Sequence, residues 1–459
     1  MDENLNKAID GFIAENTDAI FRDIARLVRV NSVEGPAEEG APFGRGPAEA
    51  LKTAFAICDE LGLESRNCED RIGYARLGKS EKYLATVTHL DVVPTGDGWS
   101  HDPFLMTERE NYIIGRGVMD DKGPSVLCLY ALKFLKEQNI PLKYEIRALL
   151  GINEETGMGD VEYYLKNYPA PAFCFSPDAE FPLCNGEKGI TQGVIVSSSP
   201  AENILDIKGG FAYNAVPDRC EATVKADKLE NAAHVTVEKQ SDGVWHVMAE
   251  GIGGHASMPE GTRSAIGCMA HYLIDSGILS EAEEKFMSRL CLLYDDYTGK
   301  ALGVDADDGL FKPATIIGGM IGLEDGHIYQ TYDSRYPTNT SGAQIAAGIS
   351  EKLAGTGRVD IKADMTPFYM SLDNPAVQVC INCYNEVTGE NARPFTIGGG
   401  TYARDFPNAV SFGPEHPERP TPSWAGPVHG VDESVCKDWL LEALKVYIYA
   451  LTELEKLDF

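Results

Sequence analysis

Acidic and imidazole side chains occur at four points of the sequence, three where an apolar stretch ends and one in a glycine-rich turn just before a predicted helix. These side chains are, in chain order, His89 and Asp91, Asp120 and Asp121, Glu154 and Glu155, and Asp178. One such residue alone is typical of a helix cap or a turn. Several carboxylates brought together repel one another and raise one another's pKa, and a shared cation would remove that conflict. Imidazole nitrogen with carboxylate oxygen suits zinc, with cobalt or manganese as alternatives.

The adjacent pair Glu154 and Glu155, in GINEETG, raises the question of whether two neighbouring carboxylates can do the same work. In extended backbone, neighbouring side chains point to opposite sides. The two glutamates therefore cannot easily bind one ion side by side. One of them can bind the ion while the other faces the water beside it, and the spacing leaves open which is which.

The elements that must position these residues alternate between strand and helix. Apolar periodicity predicts helices over 8–30, 46–63 and 125–140 and strands over 71–78, 82–94 and 143–153. This alternation predicts an α/β fold with a mostly parallel sheet flanked by helices. A long amphipathic helix over 431–457 could pack on the same sheet. In such sheets function collects beyond the carboxyl ends of the strands, where the acidic segments lie.

The middle of the chain has a different pattern, with strands, turns and only a few helices. Two segments in it are loosely alike, GGFAYNAVPDRCEATV and GHIYQTYDSRYP, and each is followed by a helix. This pattern predicts an inserted α+β lid domain over 190–372 and suggests that the unit is duplicated. Residues 1–189 and 373–459 would then form the metal-binding catalytic domain.

Composition excludes several classes of partner. The net charge of −30 argues against nucleic acid and anionic membranes, because both require a basic surface. No apolar run reaches the roughly 20 residues of a membrane span, and the acidic N-terminus lacks the features of a signal peptide. The eleven cysteines lie mostly in apolar surroundings, which favours reduced thiols and a cytoplasmic location.

Two short motifs suggest other sites, and neither has the context that its chemistry needs. The segment GYARLGKS over 73–80 matches a phosphate-binding loop, but strand-like sequence lies on both sides and no helix follows. A hairpin turn at Gly78 and Lys79 is the better interpretation. Cys380 and Cys383 form a C-x-x-C pair in a helical segment with no second pair, which favours a place in the core over a zinc site.

The motifs occur in a recognisable order, namely H-x-D, G-R-G-x-x-D-D-K-G, N-E-E-x-G, P-D and a late histidine. This order resembles that of the M20 metallopeptidases, which are co-catalytic zinc exopeptidases and amidases, over nearly the whole chain. Within that family the sequence looks most like the bacterial dipeptidases of the PepV type, the Xaa-His or carnosinase-like branch. The segments GGFAYNAVPD and GGGTYAR and the long middle domain support this resemblance.

The resemblance implies a site for two divalent metal ions, most simply zinc. Asp120 would bridge the ions, His89 and Asp178 would hold one, and Glu155 and His429 would hold the other. It also implies a cis peptide bond between Asp120 and Asp121.

The resemblance also implies how the peptide bond is hydrolysed. Glu154 would act as general base on a water that bridges the two ions, and it would pass the proton to the leaving amine. Asp91 would orient His89 by accepting its other ring N–H. These two residues and the lid histidine, His255, are the predicted catalytic residues. His255 would donate to the oxyanion.

Substrate binding is implied for a further group of residues. Arg335 would bind the substrate carboxylate with its bidentate fork, and Asn214 would be a second lid contact. Gly400, Thr401 and Arg404, in GGGTYAR, would complete the carboxylate side of the pocket.

The implied activity is that of a dipeptidase acting on short peptides with a free N-terminus. N-acyl amino acid deacylases and succinyl-diaminopimelate desuccinylases share the same metal motif and are the main alternatives, and a non-catalytic metal-binding scaffold is a further one. The insert of about 180 residues is long enough for two lid units. We therefore predict a monomer in which the second unit replaces a partner and His255 acts within its own chain.

Overall fold

A computed structural model describes residues 3–459, which divide into two compact units. The first unit contains the described residues up to Gly186, together with Tyr369–Phe395 and Gly400–Phe459. The second unit contains Glu187–Phe368 and Thr396–Gly399. The boundaries predicted from the sequence are 190 and 372, and the short segment 396–399 of the second unit has no counterpart in that prediction.

Nine α-helices and one 3-10 helix are present among residues 3–459. The α-helices are α1 (Glu3–Val28), α2 (Arg45–Glu60), α3 (Lys122–Glu137), α4 (Gly159–Asn167), α5 (Ala265–Asp275), α6 (Glu281–Tyr294), α7 (Gly342–Leu353), α8 (Pro375–Thr388) and α9 (Lys437–Leu454). The 3-10 helix covers Tyr402–Asp405.

The strands are mostly short. They are β1 (Glu64–Cys68), β2 (Ile72–Leu77), β3 (Tyr83–His89), β4 (Thr107–Arg109), β5 (Tyr112–Ile114), β6 (Glu145–Gly151), β7 (Phe173–Ser176), β8 (Ala179–Glu180), β9 (Cys184–Glu187), β10 (Gly189–Ser197), β11 (Ile204–Gly209), β12 (Ala215–Val216), β13 (Arg219–Lys225), β14 (Val235–Ser241), β15 (Val244–Glu250), β16 (Gly254–His255), β17 (Thr315–Glu324), β18 (His327–Tyr336), β19 (Gly357–Met365), β20 (Phe368–Tyr369), β21 (Phe395–Ile397), β22 (Ala409–Ser411), β23 (Pro414–Glu415) and β24 (Ser434–Cys436).

The main sheet of the first unit has a parallel centre. Strands β6, β3, β7 and β22 are successive neighbours and run parallel to one another. At one edge β2 pairs antiparallel with β6, and β1 pairs antiparallel with β2. The predicted α/β architecture is confirmed, but the sheet is mixed, because it is parallel only in its centre and antiparallel pairs flank that centre on both sides.

The core of this unit lies where helices cover the sheet. All seven residues of β3 are buried, as expected for a parallel strand that is covered on both faces. Helix α3 packs against β3 and β6, and α1 and α9 pack against α3. The carboxyl end of β3 is therefore held in a rigid setting, which matters because His89 is its last residue.

The predicted hairpin at Gly78 and Lys79 is wrong. The segment does connect two strands, β2 and β3, and no helix follows it, so it is not a phosphate-binding loop. However, β6 lies between β2 and β3 in the sheet and pairs with both. The connection therefore passes over the end of a third strand, which comes later in the chain and could not be placed from local sequence.

The second unit is built on one antiparallel sheet of eight strands, in the order β14-β15-β13-β11-β17-β18-β10-β19. Helix α5 packs on β13 and β15, whereas α7 packs on β10 and β19. A continuous apolar core, which includes Ile207, Val247, Met269 and Ile345, fills this unit. The two similar segments predicted from the sequence lie in opposite halves of this single sheet.

Two further expectations can be compared with the structure. All eleven cysteines are free thiols and ten of them are buried, including Cys380 and Cys383 in α8. Among residues 3–459, no helix combines the length and the apolar character that crossing a bilayer would require.

Candidate metal centre

The carboxylate of Asp120 lies between two histidines. Its Oδ1 is 2.8 Å from His89 Nε2, and its Oδ2 is 2.8 Å from His429 Nε2. On the outer side of this group, Asp178 Oδ2 is 3.7 Å from His89 Nε2, and Glu155 Oε2 is 3.2 Å from His429 Nε2. Each oxygen of the Asp120 carboxylate therefore faces its own histidine, and each of these histidines lies near a second acidic residue.

The parallel strands explain how these residues meet. His89 ends β3, Glu154 and Glu155 follow β6, and Asp178 follows β7. Because β6, β3 and β7 are parallel neighbours, their carboxyl ends meet at the same edge of the sheet. Asp120 lies two residues before α3, and its peptide bond to Asp121 is cis, as the resemblance implies.

The donor atoms form two groups that could each hold a metal ion. Ligand atoms of His89, Glu154 and Asp178 lie within 4.8 Å of one another, and so do those of His89, Asp120 and Glu155. His89 Nε2 and Asp120 Oδ1 are both buried and, although they are close together, they are not aligned as a hydrogen bond. A nitrogen and an oxygen that lie this close without a hydrogen bond between them could both bind the same cation. These residues therefore fit a metal site.

The electrostatics of the group also favour a cation. Burial, reinforced by the Asp120 carboxylate, raises the pKa of Asp178 to about 8. Burial and the charge of Asp178 raise the pKa of Glu154 well above its usual range. Hydrogen bonds to Asp120 and Glu155 raise the pKa of His429 to about 11. Without a metal ion, the raised pKa values favour protonated carboxyl groups. A divalent cation could take the place of those protons.

The two adjacent glutamates face different neighbours. Glu155 points its Oε2 toward His429, and its Oε1 accepts a hydrogen bond of 3.3 Å from the Val93 amide. Glu154 instead lies with His89 and Asp178. Of the two glutamates, Glu155 thus approaches His429 as well as the group of His89 and Asp120, whereas Glu154 lies with His89 and Asp178.

The comparison with known proteins identifies the family. The sequence matches the model of Peptidase family M20/M25/M40 over residues 85–453. The chain belongs to this family. The predicted family is confirmed, and this M20 peptidase is a hydrolase that acts on peptide bonds.

Relatives of the M20 peptidase match it along almost its full length. It is 32% identical over 461 residues to the Beta-Ala-Xaa dipeptidase of Lactobacillus delbrueckii subsp. lactis, with 96% of each chain covered. It is 30% identical over 465 residues to the putative dipeptidase YtjP of Bacillus subtilis (strain 168), with 97% of this chain and 99% of the relative covered.

Solved structures share the fold at low sequence identity. The dipeptidase Dug1p of Saccharomyces cerevisiae has a TM-score of 0.62 at 12% identity, with 99% of each chain covered. The YXEP protein of Bacillus subtilis, described as a dinuclear metal-binding peptidase of the M20 family, has a TM-score of 0.50 at 11% identity, with 95% of this chain and 98% of that chain covered. The family thus includes dinuclear metal-binding peptidases.

Asp91 contacts both His89 and the turn that carries the two glutamates. The His89 Nδ1–H group donates to the backbone carbonyl of Asp91 at 3.0 Å, while the nearer carboxylate oxygen is 3.5 Å away. The Asp91 carboxylate instead accepts the backbone amides of Glu154 at 3.2 Å and Glu155 at 3.1 Å. Asp91 therefore orients His89 mainly through its main chain, and its side chain holds the turn that carries both glutamates.

We expect Asp91→Ala to weaken metal binding by about 10- to 100-fold, as is typical when a residue that orients metal ligands is lost. The physical reason is that two buried amides lose their acceptor, so both glutamates lose their fixed position. Calorimetric titration of the metal-free protein with Zn²⁺ measures the effect. Asp308→Ala is a matched control in the second unit, because Asp308 also accepts two successive amides, those of Leu310 and Phe311. Equal affinity in the two variants would contradict this role of Asp91.

The predicted lid residues all belong to the second unit. Asn214 Nδ2 is 3.4 Å from His255 Nε2, and His255 Nδ1 is 2.7 Å from Ser257 Oγ. Burial and the nearby charge of Arg335 lower the pKa of His255. The structure brings His255 and Asn214 together, and their catalytic roles stay predictions.

Arg335 is buried and held by partners within its own unit. Its Nε donates to Asp333 Oδ1 at 2.7 Å, its Nη2 to Asp333 Oδ2 at 3.2 Å, and its Nη1 to the Gly398 carbonyl at 2.8 Å. These bonds use three of the five N–H groups of a guanidinium.

The first two glycines of the GGGTYAR segment belong to the second unit, whereas Gly400 to Arg404 belong to the first unit, where Thr401 serves the local fold. Its hydroxyl is 2.8 Å from Ser411 Oγ and accepts the Ala403 amide at the start of the 3-10 helix. A Cβ on Gly400 would lie 2.6 Å from Arg404 Nη1, so the two residues are in close contact. The predicted substrate contacts of Gly400, Thr401 and Arg404 stay predictions.

Sequence reasoning missed two residues that support the metal centre and one that holds a predicted lid residue. Arg116 and Glu433 form a buried ion pair, and Asp333 holds Arg335. The motifs contained a signal for each of them. Arg116 lies in the GRG segment, Glu433 lies four residues after His429, and Asp333 lies two residues before Arg335 and so faces the same side of β18.

Proposed function

We propose that this M20 peptidase is a metal-dependent dipeptidase that hydrolyses the peptide bond of dipeptides with a free N-terminus. The observation that carries the proposal is the Asp120 carboxylate between His89 and His429, with the two glutamates close to this group. Relatives support the substrate class. The relative from Lactobacillus delbrueckii is named a Beta-Ala-Xaa dipeptidase, and one of the structural neighbours is human carnosine dipeptidase 1.

Five residues would hold two divalent ions. Asp120 would bind both, with His89 and Asp178 on one ion and Glu155 and His429 on the other. Zinc suits this set of nitrogen and oxygen donors, and manganese and cobalt are alternatives. Such a pair of ions, when bound, lowers the pKa of a water and polarises the scissile carbonyl.

Glu154 is the proposed general base. It would take a proton from the attacking water and pass it to the nitrogen of the leaving amino acid. Its carboxylate lies beside His89 and Asp178 and is partly buried, and desolvation raises its pKa. A raised pKa suits a carboxylate that must accept a proton near neutral pH.

The second unit would supply contacts to the substrate. His255 would donate to the oxyanion that develops on the scissile carbonyl, with Asn214 beside it. The Arg335 guanidinium would bind the substrate carboxylate. Asp333 would keep the Arg335 guanidinium in a fixed plane, because it binds two of its nitrogens.

Substrate profiling tests the dipeptidase proposal. With Zn²⁺ restored after chelation, we expect kcat/KM for free dipeptides such as β-Ala-Xaa to exceed that for their N-acetylated forms by at least about 1,000-fold. The reason is that a site built for a free amine leaves its polar groups unpaired when the amine is blocked. N-acetyl and N-succinyl amino acids are the comparison substrates. Their cleavage in the absence of dipeptide cleavage would favour the deacylase or desuccinylase alternative.

We propose further that the protein is monomeric and cytoplasmic. The length of the second unit and its eight-stranded sheet support a lid that needs no partner chain. Ten buried free thiols suit a reducing compartment. Light scattering should give the mass of one chain, and a dimer whose active site needs His255 of the partner subunit would contradict the monomer.

A further inference from the structure

A fully buried ion pair lies next to the metal centre and has no part in the proposed chemistry. Arg116 Nη1 is 2.7 Å from Glu433 Oε2, and each side chain is only 1% exposed. Removing two charges from water is costly, and a buried pair persists only when further hydrogen bonds satisfy it. The other partners of these two side chains therefore indicate what the pair holds in place.

The Glu433 carboxylate binds the backbone that leads to Asp120. It accepts the amides of Gly117 at 3.2 Å, Met119 at 3.0 Å and Asp120 at 3.3 Å. Gly117 has a φ of +90°, and a Cβ there would lie 2.9 Å from the Lys122 side chain. The loop is thus wrapped around one carboxylate, which fixes the main chain of Asp120.

The Arg116 guanidinium binds the segment that carries the last histidine. Its Nη2 donates to the His429 carbonyl at 3.2 Å, across 313 positions of sequence. The Trp99 ring lies 5.3 Å from the guanidinium carbon, within the range of a cation–π contact. Arg116 thereby links the loop of Asp120 to the segment of His429. The Oδ2 atom of Asp120 and the Nε2 atom of His429 are 2.8 Å apart.

We infer that the Arg116–Glu433 pair is a positioning device that sets the affinity of one of the two metal positions. That position is the one shared by Asp120, Glu155 and His429. Among residues 3–459, neither His89 nor Asp178 forms a hydrogen bond or an ion pair with Arg116 or Glu433. Asp120 is common to both positions, whereas His429 belongs to one of them and is held by Arg116 directly, so loss of the pair should weaken the His429 position far more than the other. The inference rests on the proposed dinuclear site.

The test is the double variant Arg116→Met with Glu433→Gln, which removes both charges together. Replacing both members of a buried pair costs far less stability than removing one of them, so we expect the variant to fold. Calorimetric titration with Zn²⁺ should show one ion bound as in the wild type, with the Kd of the second raised by about 10- to 100-fold. Titration with Co²⁺, followed by its visible spectrum, should show the loss of one of the two sites.

A second variant keeps the charge of the pair. Arg116→Lys can still neutralise Glu433, but a single ammonium lacks the fork that reaches both Glu433 and the His429 carbonyl. It should fold and show the same selective loss.

The matched control is the pair Glu145→Gln with Arg147→Met, which removes another ion pair of the first unit, with an Nε–Oε1 distance of 2.6 Å. It should bind both ions with unchanged affinity. Folded Arg116 variants that bind both ions as the wild type does, or that lose both ions equally, would overturn the inference. A wild-type protein that binds fewer than two ions would overturn the proposed function instead.

Discussion

Replacing Glu154 with alanine is expected to lower kcat by about 1,000- to 10,000-fold while both metal ions stay bound. Glu154 lies beside His89 and Asp178 but is not among the five residues that would hold the ions. Its loss removes the group that takes the proton from water and returns it to the leaving amine. Steady-state kinetics on a dipeptide, combined with metal analysis of the purified variant, measures both parts of this result.

Glu155→Ala is the matched control, because it removes the same side chain one position later. Glu155 approaches His429 to 3.2 Å, and its loss should reduce metal content to about one ion per chain. The Glu154 variant should therefore lose turnover and keep its metal, whereas the Glu155 variant should lose metal. If Glu154→Ala loses metal and Glu155→Ala keeps it, the two roles must be exchanged. If Glu154→Ala keeps full activity, the general base lies elsewhere.

The second large effect concerns Asp120. Asp120→Ala is expected to abolish binding of both ions and to lower turnover by more than about 10,000-fold, because each ion supplies several kcal/mol of transition-state stabilisation. The reason is geometric, since its two oxygens face His89 and His429 separately at 2.8 Å each. Calorimetric titration with Zn²⁺ and a turnover assay at saturating metal measure the two losses.

Variants of the outer residues provide the comparison for Asp120. His429→Ala should leave the position of His89 and Asp178 intact and so retain one ion. Asp178→Ala should retain the other ion. An Asp120→Ala protein that still binds two ions would show that this carboxylate is not shared between them.

Much of the metal centre could be predicted because its residues follow strand ends. His89, Glu155 and Asp178 come directly after apolar runs, and parallel neighbours bring such ends together at one edge of a sheet. The order of strands was harder to predict. The connection at Gly78 resembles a hairpin locally, and only the insertion of β6 between its two strands shows otherwise.

The supporting shell of the site was missed for a different reason. Charged residues such as Arg116 and Glu433 are mostly exposed in proteins, so a sequence gives no cause to expect them in a core. Their contact joins positions that are 317 residues apart, and no local pattern encodes it. The role of Asp91 was likewise only half predictable, because the amides that its carboxylate accepts lie more than 60 positions away.

The split of the first unit around the second has a consequence for biosynthesis. Four of the five proposed metal ligands have been translated once the ribosome has passed Asp178, whereas His429 follows the whole of the second unit. At about 5–20 residues per second, the interval between them lasts roughly ten to fifty seconds. Throughout that time the nascent chain carries an incomplete metal site. A peptidase arranged in this way can acquire its hydrolytic activity only after its second unit has been synthesised.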